Sequence, residues 1–343
     1  MLAYFLRGCR LLFAASIISG LTVTFINVVI PQVISFTVDS VIGEEQPQGV
    51  AGWLAGLFGG VQAVRGRLWV PAVAVLVLAL VMAVFQYCAL YFNHRANQSL
   101  MRGMRNGLFR HIQRLPAGWH SKHSTGDIIQ RCTSDADVIS NFVSNQLYQL
   151  VRIIILLVLS LALMFAMDVE LALIAAAFIP LLVGYSLFFY ARAGKSFRKC
   201  DEEEGVLSSI AQENLTGVRV VRAFGRERYE RDKFEKQNVY YTGLWVRIER
   251  FLAAYWTTND FLSALQCMLL IVVGTVFCLR GQITAGDLVA FISYNTMLMG
   301  PVRQLGRIIS NMSRAGVSIA RIGEIMNAEE EKYGEVGELS GDI

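Results

Sequence analysis

Long apolar runs alternate along this chain with stretches dense in Lys and Arg. A helix that crosses a bilayer needs about 20 mostly apolar residues. Six segments meet that length: about Leu11–Val41, Leu68–Phe92, Leu147–Met167, Leu171–Tyr190, Phe261–Leu279 and Leu288–Ile309. Only Asp168-Val169-Glu170 separates the third from the fourth; Arg280 to Asp287, with the turn residues Gly281 and Gly286, separates the fifth from the sixth. Both connections read as tight hairpins at a membrane surface.

The helical period outlasts the apolar runs. After the second run, Met101, Met104, Leu108, Ile112 and Leu115 recur at three- and four-residue steps, with no interior proline before Pro116. A helix from Trp69 to Leu115 would be roughly 70 Å long at 1.5 Å per residue, against about 40–45 Å of bilayer. Similar continuity runs back from the third span to Ile128, forward from the fourth towards Gln212, and back from the fifth to about Arg222. After the sixth, Ile308, Met312, Ile319, Ile322 and Met326 carry the last helix well past the membrane. Turns fall at the extremities, over Pro116–Asp127 with Gly118 and Gly126, and around Asn214–Gly217. The expected fold is an all-α membrane protein of six long transmembrane helices extending into the cytosol as two hairpins. A simple channel or anchor has no need of such levers.

Composition agrees: the 343 residues are 54% hydrophobic and only 17% charged, with a mean hydropathy of +0.46, too apolar for an ordinary soluble protein. Basic residues crowd the connections between spans two and three (Arg95 to Arg131) and between spans four and five (Arg192 to Arg250). The opposite connections hold only Arg65, Arg67 and Arg280. The positive-inside rule places both termini and both long connections in the cytosol. Arg7 and Arg10 precede an apolar run far longer than the ~7–15 residues of a signal peptide, so the first span is read as uncleaved. A net charge of +4 gives no reason to expect nucleic acid, and six scattered cysteines without a CxxC pair give no metal site. Trp53, Leu54, Leu57, Phe58 and Val61 suggest a short helix on the outer surface, and Asp201-Glu202-Glu203-Glu204 a solvated helix face.

Polar groups at membrane depth are costly and mark candidate sites. Counting from the outer end of each span, Asn27 lies about 18 Å deep, Arg152 and Arg303 about 24 Å, Gln86 about 26 Å and Asp260 about 30 Å. Arg152, Asp260 and Arg303 are expected to face a cavity near its cytosolic mouth, with Asp260 paired to one arginine; headgroup snorkelling or a structural ion pair is the bland alternative. Asn27, Gln32, Gln86, Gln266 and Asn295 could hydrogen-bond a substrate, or hold helices together. Pro31 and Pro301 read as kinks.

The tips carry the most specific pattern. Gly126-Asp127-Ile128-Ile129-Gln130-Arg131, with Asp135 and Ile139, matches GDI-x-x-R-x-x-x-D-x-x-x-I. Glu213-Asn214-Leu215-Thr216-Gly217-Val218-Arg219-Val220-Val221-Arg222-Ala223-Phe224, with Glu227 and Phe234, is close to E-x-L-x-G-I-x-V-V-K-A-F…E…F. Gly281 to Phe291 (GQITAGDLVAF) fits G-x-I-T-x-G-x-L-x-A-F. In this order the three resemble the exporter-type transmembrane domain of ABC transporters over essentially the whole chain.

That resemblance implies coupling helices docked on ATPase domains: Trp119, His120, Ser121, Lys122, His123 and Ser124 at the first tip, and Glu213, Asn214, Leu215, Thr216, Gly217, Val218, Arg219 and Val220 at the second. It implies a second half-transporter, homo- or heterodimeric, with spans four and five crossing to it. It also implies nucleotide-binding domains that bind ATP and Mg, a multi-pass location in a bacterial plasma membrane, and a hydrophobic small-molecule or lipid substrate. Residues 1–327 would form the six-helix domain, and 328–343 a linker and the start of a nucleotide-binding domain. The sequence contains no GxxxxGK[ST] phosphate loop, so these residues alone are not expected to hydrolyse ATP. A cut chain is the preferred expectation, with a separate ATPase chain as the other. The rival function is a non-transporting regulator or gate on the same bundle. A secondary transporter is disfavoured because interrupted hydrophobic segments are missing.

Overall fold

The architecture follows from a computed structural model that describes residues 5–6, 8–43, 52, 56, 64–65, 67 and 69–331. Its long helices are α1 (Arg10–Ile42), α2 (Trp69–Ile112), α4 (Thr125–Met167), α5 (Val169–Thr216), α7 (Glu227–Leu279) and α8 (Ala285–Met326). Two short helices, α3 (Ala117–His120) and α6 (Val218–Ala223), sit between α2 and α4 and between α5 and α7. No strand occurs among the described residues. The outer-surface helix expected over Trp53, Leu54, Leu57, Phe58 and Val61 lies outside the described residues, as do residues 332–343 of the expected linker and Arg7.

Five of these helices, α1, α2, α4, α5 and α7, are long and apolar enough to cross a membrane. The sixth expected span falls in α8, which has the length at 42 residues but interleaves Ser293, Asn295, Thr296 and Arg303 with its apolar positions. Burial still places α8 at the centre: Ala290, Phe291, Tyr294, Leu298 and Val302 share one core with Leu156 and Met164 of α4, Leu171 and Leu182 of α5, and Leu270 of α7.

Local chemistry sets the helix ends. Asp168 caps α5 by accepting the Leu171 N–H at 2.8 Å, so α4 and α5 turn on one extended residue. Thr284 and Asp287 form a reciprocal capping box at the start of α8. Gly281 (φ +71°) ends α7 and Gly225 (φ +59°) follows α6; each lets the next N–H reach back to a carbonyl, Gln282 to Phe277 and Arg226 to Val221, a left-handed cap that side chains with a Cβ resist. Towards the far end, α4 carries π-helical turns at Arg131–Asp135 and Phe142–Leu147. Between and within them, Ser140 and Ser144 donate to Asn97 of α2, a polar seam between two otherwise apolar helices.

Past the apolar lengths the bundle divides. One arm joins α2, α4, the end of α8 and the start of the chain through Cys9, Leu100, Met104, Leu108, Ala136, Ile139, Ile322 and Ile325. The other is the α5–α7 pair, held by Phe189, Ala193 and Tyr255, then by Cys200, Leu244 and Ile248 further out. At 48 and 53 residues, α5 and α7 are about 70–80 Å long, well beyond a bilayer's ~40–45 Å.

Candidate functional site

The first tip turns on Pro116, whose extended ψ of 151° ends the α2 segment and starts α3. Trp119 is half-buried against the first arm's core and stacks on His123 at 4.1 Å between ring centroids. His120 and His123 are tied locally, to the carbonyls of Ile112 (3.2 Å) and Trp119 (2.9 Å). Ser121 and Lys122 are exposed, and Ser124 caps α4. Below the cap, Arg131 bonds Asp127 at 2.9 Å and Glu324 of α8 at 2.8 Å, while Asp135 accepts Ser318 at 2.8 Å and faces Arg321 at 3.6 Å. Glu330 contacts both His111 and Arg114; the His111 hydrogen bond, then the Arg114 charge, hold its carboxyl below the usual range. The acid and base of the first motif therefore bolt α4 to the far end of α8.

At the second tip, Glu213–Thr216 complete the last turn of α5, Gly217 breaks it, and the separate element is α6, Val218–Ala223. Ties run across the hairpin: Asn214 to Glu230 (3.0 Å), Lys233 to Glu213 (2.9 Å), Gln237 to Glu203 (2.7 Å) and Tyr241 to Glu204 (3.1 Å). The acidic run that reads as a solvated face thus spends two carboxylates on bracing α5 to α7. Beyond the ties lies apolar surface: Leu215 and Phe224 are each 77% exposed, with Val218 and Val220 exposed beside them. Large apolar side chains clustered at the extremity of a charged hairpin form an exposed patch of the kind that marks interaction sites.

Within the apolar zone the polar candidates separate into groups. Gln32 donates to the Tyr294 hydroxyl at 3.0 Å, which donates to the Val28 carbonyl at 2.8 Å, stitching α1 to α8. Gln266 and Asn295 are 4% and 2% exposed. Both line a hollow of about 10 Å³ between α4, α5, α7 and α8. Gln266 Nε2 bonds the Ala175 carbonyl, while Gln266 Oε1 and Asn295 Nδ2 have no hydrogen-bond partner among the described residues. Asp260 and Arg303 form an ion pair at 2.5 Å, and Arg303 also reaches Ser263 at 2.8 Å. Asn27, Gln86 and Arg152 are half-buried on α1, α2 and α4, with no hydrogen bond to these groups among the described residues.

One constellation escaped the sequence reading. Asp39, at the outer end of α1, accepts the Thr284 hydroxyl at 2.6 Å and the Gly286 N–H at 2.7 Å. It thus caps α8 from another helix, where the helix dipole favours an anion. Gly286 fits because a Cβ there would lie 2.5 Å from the Ser35 carbonyl and closer still to Asp39. Burial, helped by the neighbouring Asp39 charge, raises the Asp287 carboxyl above its ordinary range against the opposing hydrogen bonds from Thr284. The traceable signal was Gly286 in a turn that packs against an acid; the partner helix was not readable.

The described residues include no group of His, Cys, Asp and Glu able to hold a metal ion. The family description "ABC transporter transmembrane region" matches residues 13–302. The chain is 29% identical over 324 residues to the uncharacterized ABC transporter ATP-binding protein YknU of Bacillus subtilis, covering 94% of this chain and 52% of that protein. It is 26% identical over 326 residues to an ATP-dependent lipid A-core flippase of Pseudomonas fluorescens (93% and 52%), and 25% identical over 242 residues to the putative multidrug export ATP-binding/permease protein YgaD of B. subtilis (70% and 42%). It spans about half the length of these curated relatives. The chain is an integral membrane protein and belongs to the ABC transporter transmembrane region family.

Proposed function

We propose that this family member is the pathway-forming half of an ATP-driven exporter, with both termini and both tips in the cytosol of a bacterial plasma membrane. The observation that carries the reading is the second tip: an exposed apolar cluster of Leu215, Val218, Val220 and Phe224 at the end of a hairpin braced by side-chain ties. A braced rod of two helices transmits displacement along its length, and its apolar end suits a nucleotide-binding domain. The Trp119–Ser124 segment is the first coupling element, and Glu213–Val220 with the rest of α6 the second. ATP and Mg belong to the nucleotide-binding domain, and residues 328–343 lead towards it. A second half-transporter completes the pathway, with α5 and α7 reaching across to it. The two helices pack chiefly on each other and on α8, which fits a pair that reaches outward.

The cargo is a lipid or other hydrophobic molecule, a class consistent with the names of the lipid A-core flippase and multidrug relatives. Gln266, Asn295, Asp260 and Arg303 are its candidate polar contacts, with Asn27, Gln32, Gln86 and Arg152 flanking. The test is ATPase activity of the chain assembled with its nucleotide-binding domain in proteoliposomes, screened with amphiphilic drugs and lipids. Stimulation that Leu215→Asp with Val220→Asp abolishes, in a protein of unchanged elution, is the expected result. Stimulation that survives this double substitution refutes the coupling role. ATPase activity that no transported molecule alters points to a regulator instead.

A further inference from the structure

A shallow hollow of about 540 Å³ lies on α5 against Phe188, Ala191, Arg192, Lys195 and Ser196. All five are exposed, Phe188 by 64%. They are on the side of α5 away from α7, since α7 is met by Phe189, Ala193, Phe197 and Cys200. Neither Arg192 nor Lys195 has an ion-pair partner among the described residues, although most other charges on the far half of α5 that make contacts are tied to α7.

Depth gives the hollow its meaning. Counted from the Asp168 cap, Phe188 lies about 30 Å along α5, Arg192 about 36 Å and Lys195 about 40 Å. A hydrocarbon core of ~30 Å inside a ~40–45 Å bilayer leaves about 5–7 Å of headgroup layer on each side, which puts Phe188 at the edge of the acyl region, Arg192 in the tip-side headgroup layer and Lys195 about 3 Å beyond it, within reach of its own flexible side chain. The order along the helix is therefore aromatic, small, cationic, cationic, hydroxyl. A phospholipid presents acyl chain, glycerol and phosphate in the same sequence.

We propose that this face of α5 binds an anionic phospholipid of the tip-side leaflet, its acyl chain on Phe188, Ala191 leaving room for the glycerol, and its phosphate and acidic headgroup between Arg192, Lys195 and the Ser196 hydroxyl. Charge complementarity chooses the occupant: two unpaired cations that reach headgroup depth select a lipid with net negative charge over a zwitterionic one. The site stands on membrane insertion alone, so it is testable apart from transport.

The experiment is native mass spectrometry of the detergent-purified chain titrated with dioleoyl-phosphatidylglycerol, with dioleoyl-phosphatidylcholine and inorganic phosphate as separate arms. Phosphatidylglycerol should bind more tightly than phosphatidylcholine. Arg192→Gln with Lys195→Gln should weaken it about thirtyfold, at roughly fivefold per cation near a membrane surface. Arg192→Lys with Lys195→Arg should restore it, and Arg102→Gln with Arg110→Gln, exposed but far beyond the bilayer on α2, should change nothing. Undiminished phosphatidylglycerol binding in the glutamine pair overturns the site. So does displacement of the lipid by inorganic phosphate at equal concentration, which would mark a free-anion site. Disulfide formation between two copies of Ser196→Cys in native membranes would show this face covered by a second chain, and would also overturn it.

Discussion

Replace Gly286 by alanine and the new methyl has no free space. It would meet the Ser35 carbonyl, which is fixed backbone of α1, and the Asp39 carboxylate, which is held by Thr284 and by the Gly286 N–H itself. Overpacking of this kind costs about 1–3 kcal/mol, taken up here by lifting the start of α8 from the outer end of α1. Asp39→Ala removes the same contact from the other side. It loses two interhelical hydrogen bonds to a charged acceptor, worth about 1.5–3 kcal/mol each, together with the longer 3.3 Å bond from Ser35 within α1, and regains part of that by relieving the buried Asp287. A net cost of about 2–4 kcal/mol is expected. Cys278, packed against the central core in the last turn of α7, reports the opening. Its rate of thiol labelling, read by mass spectrometry of its peptide, should rise about thirtyfold for 2 kcal/mol. The double variant decides the matter. With the carboxylate gone the alanine methyl clashes only with Ser35, so the pair should cost at least about 1 kcal/mol less than the sum of the singles. Additivity within about 0.5 kcal/mol, or wild-type labelling in Gly286→Ala, would refute the latch.

The same corner has a pH dependence. The Asp287 carboxyl is raised above its ordinary 3.8 by burial and by Asp39, so the folded state binds its proton more tightly than the unfolded one. Its contribution to stability is full below 3.8 and is lost as pH rises through the raised value; Cys278 labelling, divided at each pH by that of the unfolded chain so that thiol ionisation cancels, should quicken over that window in the wild type and stay flat in Asp287→Asn. At the other end, Arg303→Gln strands Asp260, whereas Asp260→Asn leaves Arg303 its Ser263 contact. If these groups line the pathway, both should shift half-saturation for a stimulating substrate, and unchanged half-saturation and rate in both would remove them from it. Arg131→Ala cuts the ties to Asp127 and Glu324. Because one of those ties is to α8, it should speed proteolysis near the end of α8 with no effect on cleavage near α6; equal effects at both places would contradict two separate arms.

Helix existence was legible because apolar residues at three- and four-residue steps have few other solutions, and the long extensions followed from the absence of interior prolines. Ends were harder. Nothing in Glu213–Thr216 stops a helix, so α5 runs to Gly217 and the separate element starts at Val218. Pairings were hardest of all. A buried amide can bond a hydroxyl, as Gln32 does, or a backbone carbonyl, as Gln266 does, and both leave the same trace in sequence. The Asp260–Arg303 pairing was one of two open choices, since Arg152 lay at similar depth. Asp39 was invisible as a cap because an acid at the end of a span is also an ordinary boundary residue.

The ties fall into two sets that do not cross. Arg131, Asp135, His111 and Arg114 fasten the first tip to the far end of α8. Asn214, Lys233, Gln237 and Tyr241 fasten the second tip only within the α5–α7 pair. Any difference in displacement between the tips must therefore be taken up where that pair meets α8 and α4. At that seam Gln266 Oε1, Asn295 Nδ2 and Arg303 Nε are buried without hydrogen-bond partners among the described residues, and the hollow between Gln266 and Asn295 has room for about one water. Groups that hold no hydrogen bond lose none when the seam shifts, and a new partner on either side lowers their energy. The bonds from Arg303 to Asp260 and Ser263 do cross the seam and have to break or re-form when it moves. The unpaired amide atoms of Gln266 and Asn295 thus sit where the two arms join, open to a new hydrogen-bond partner.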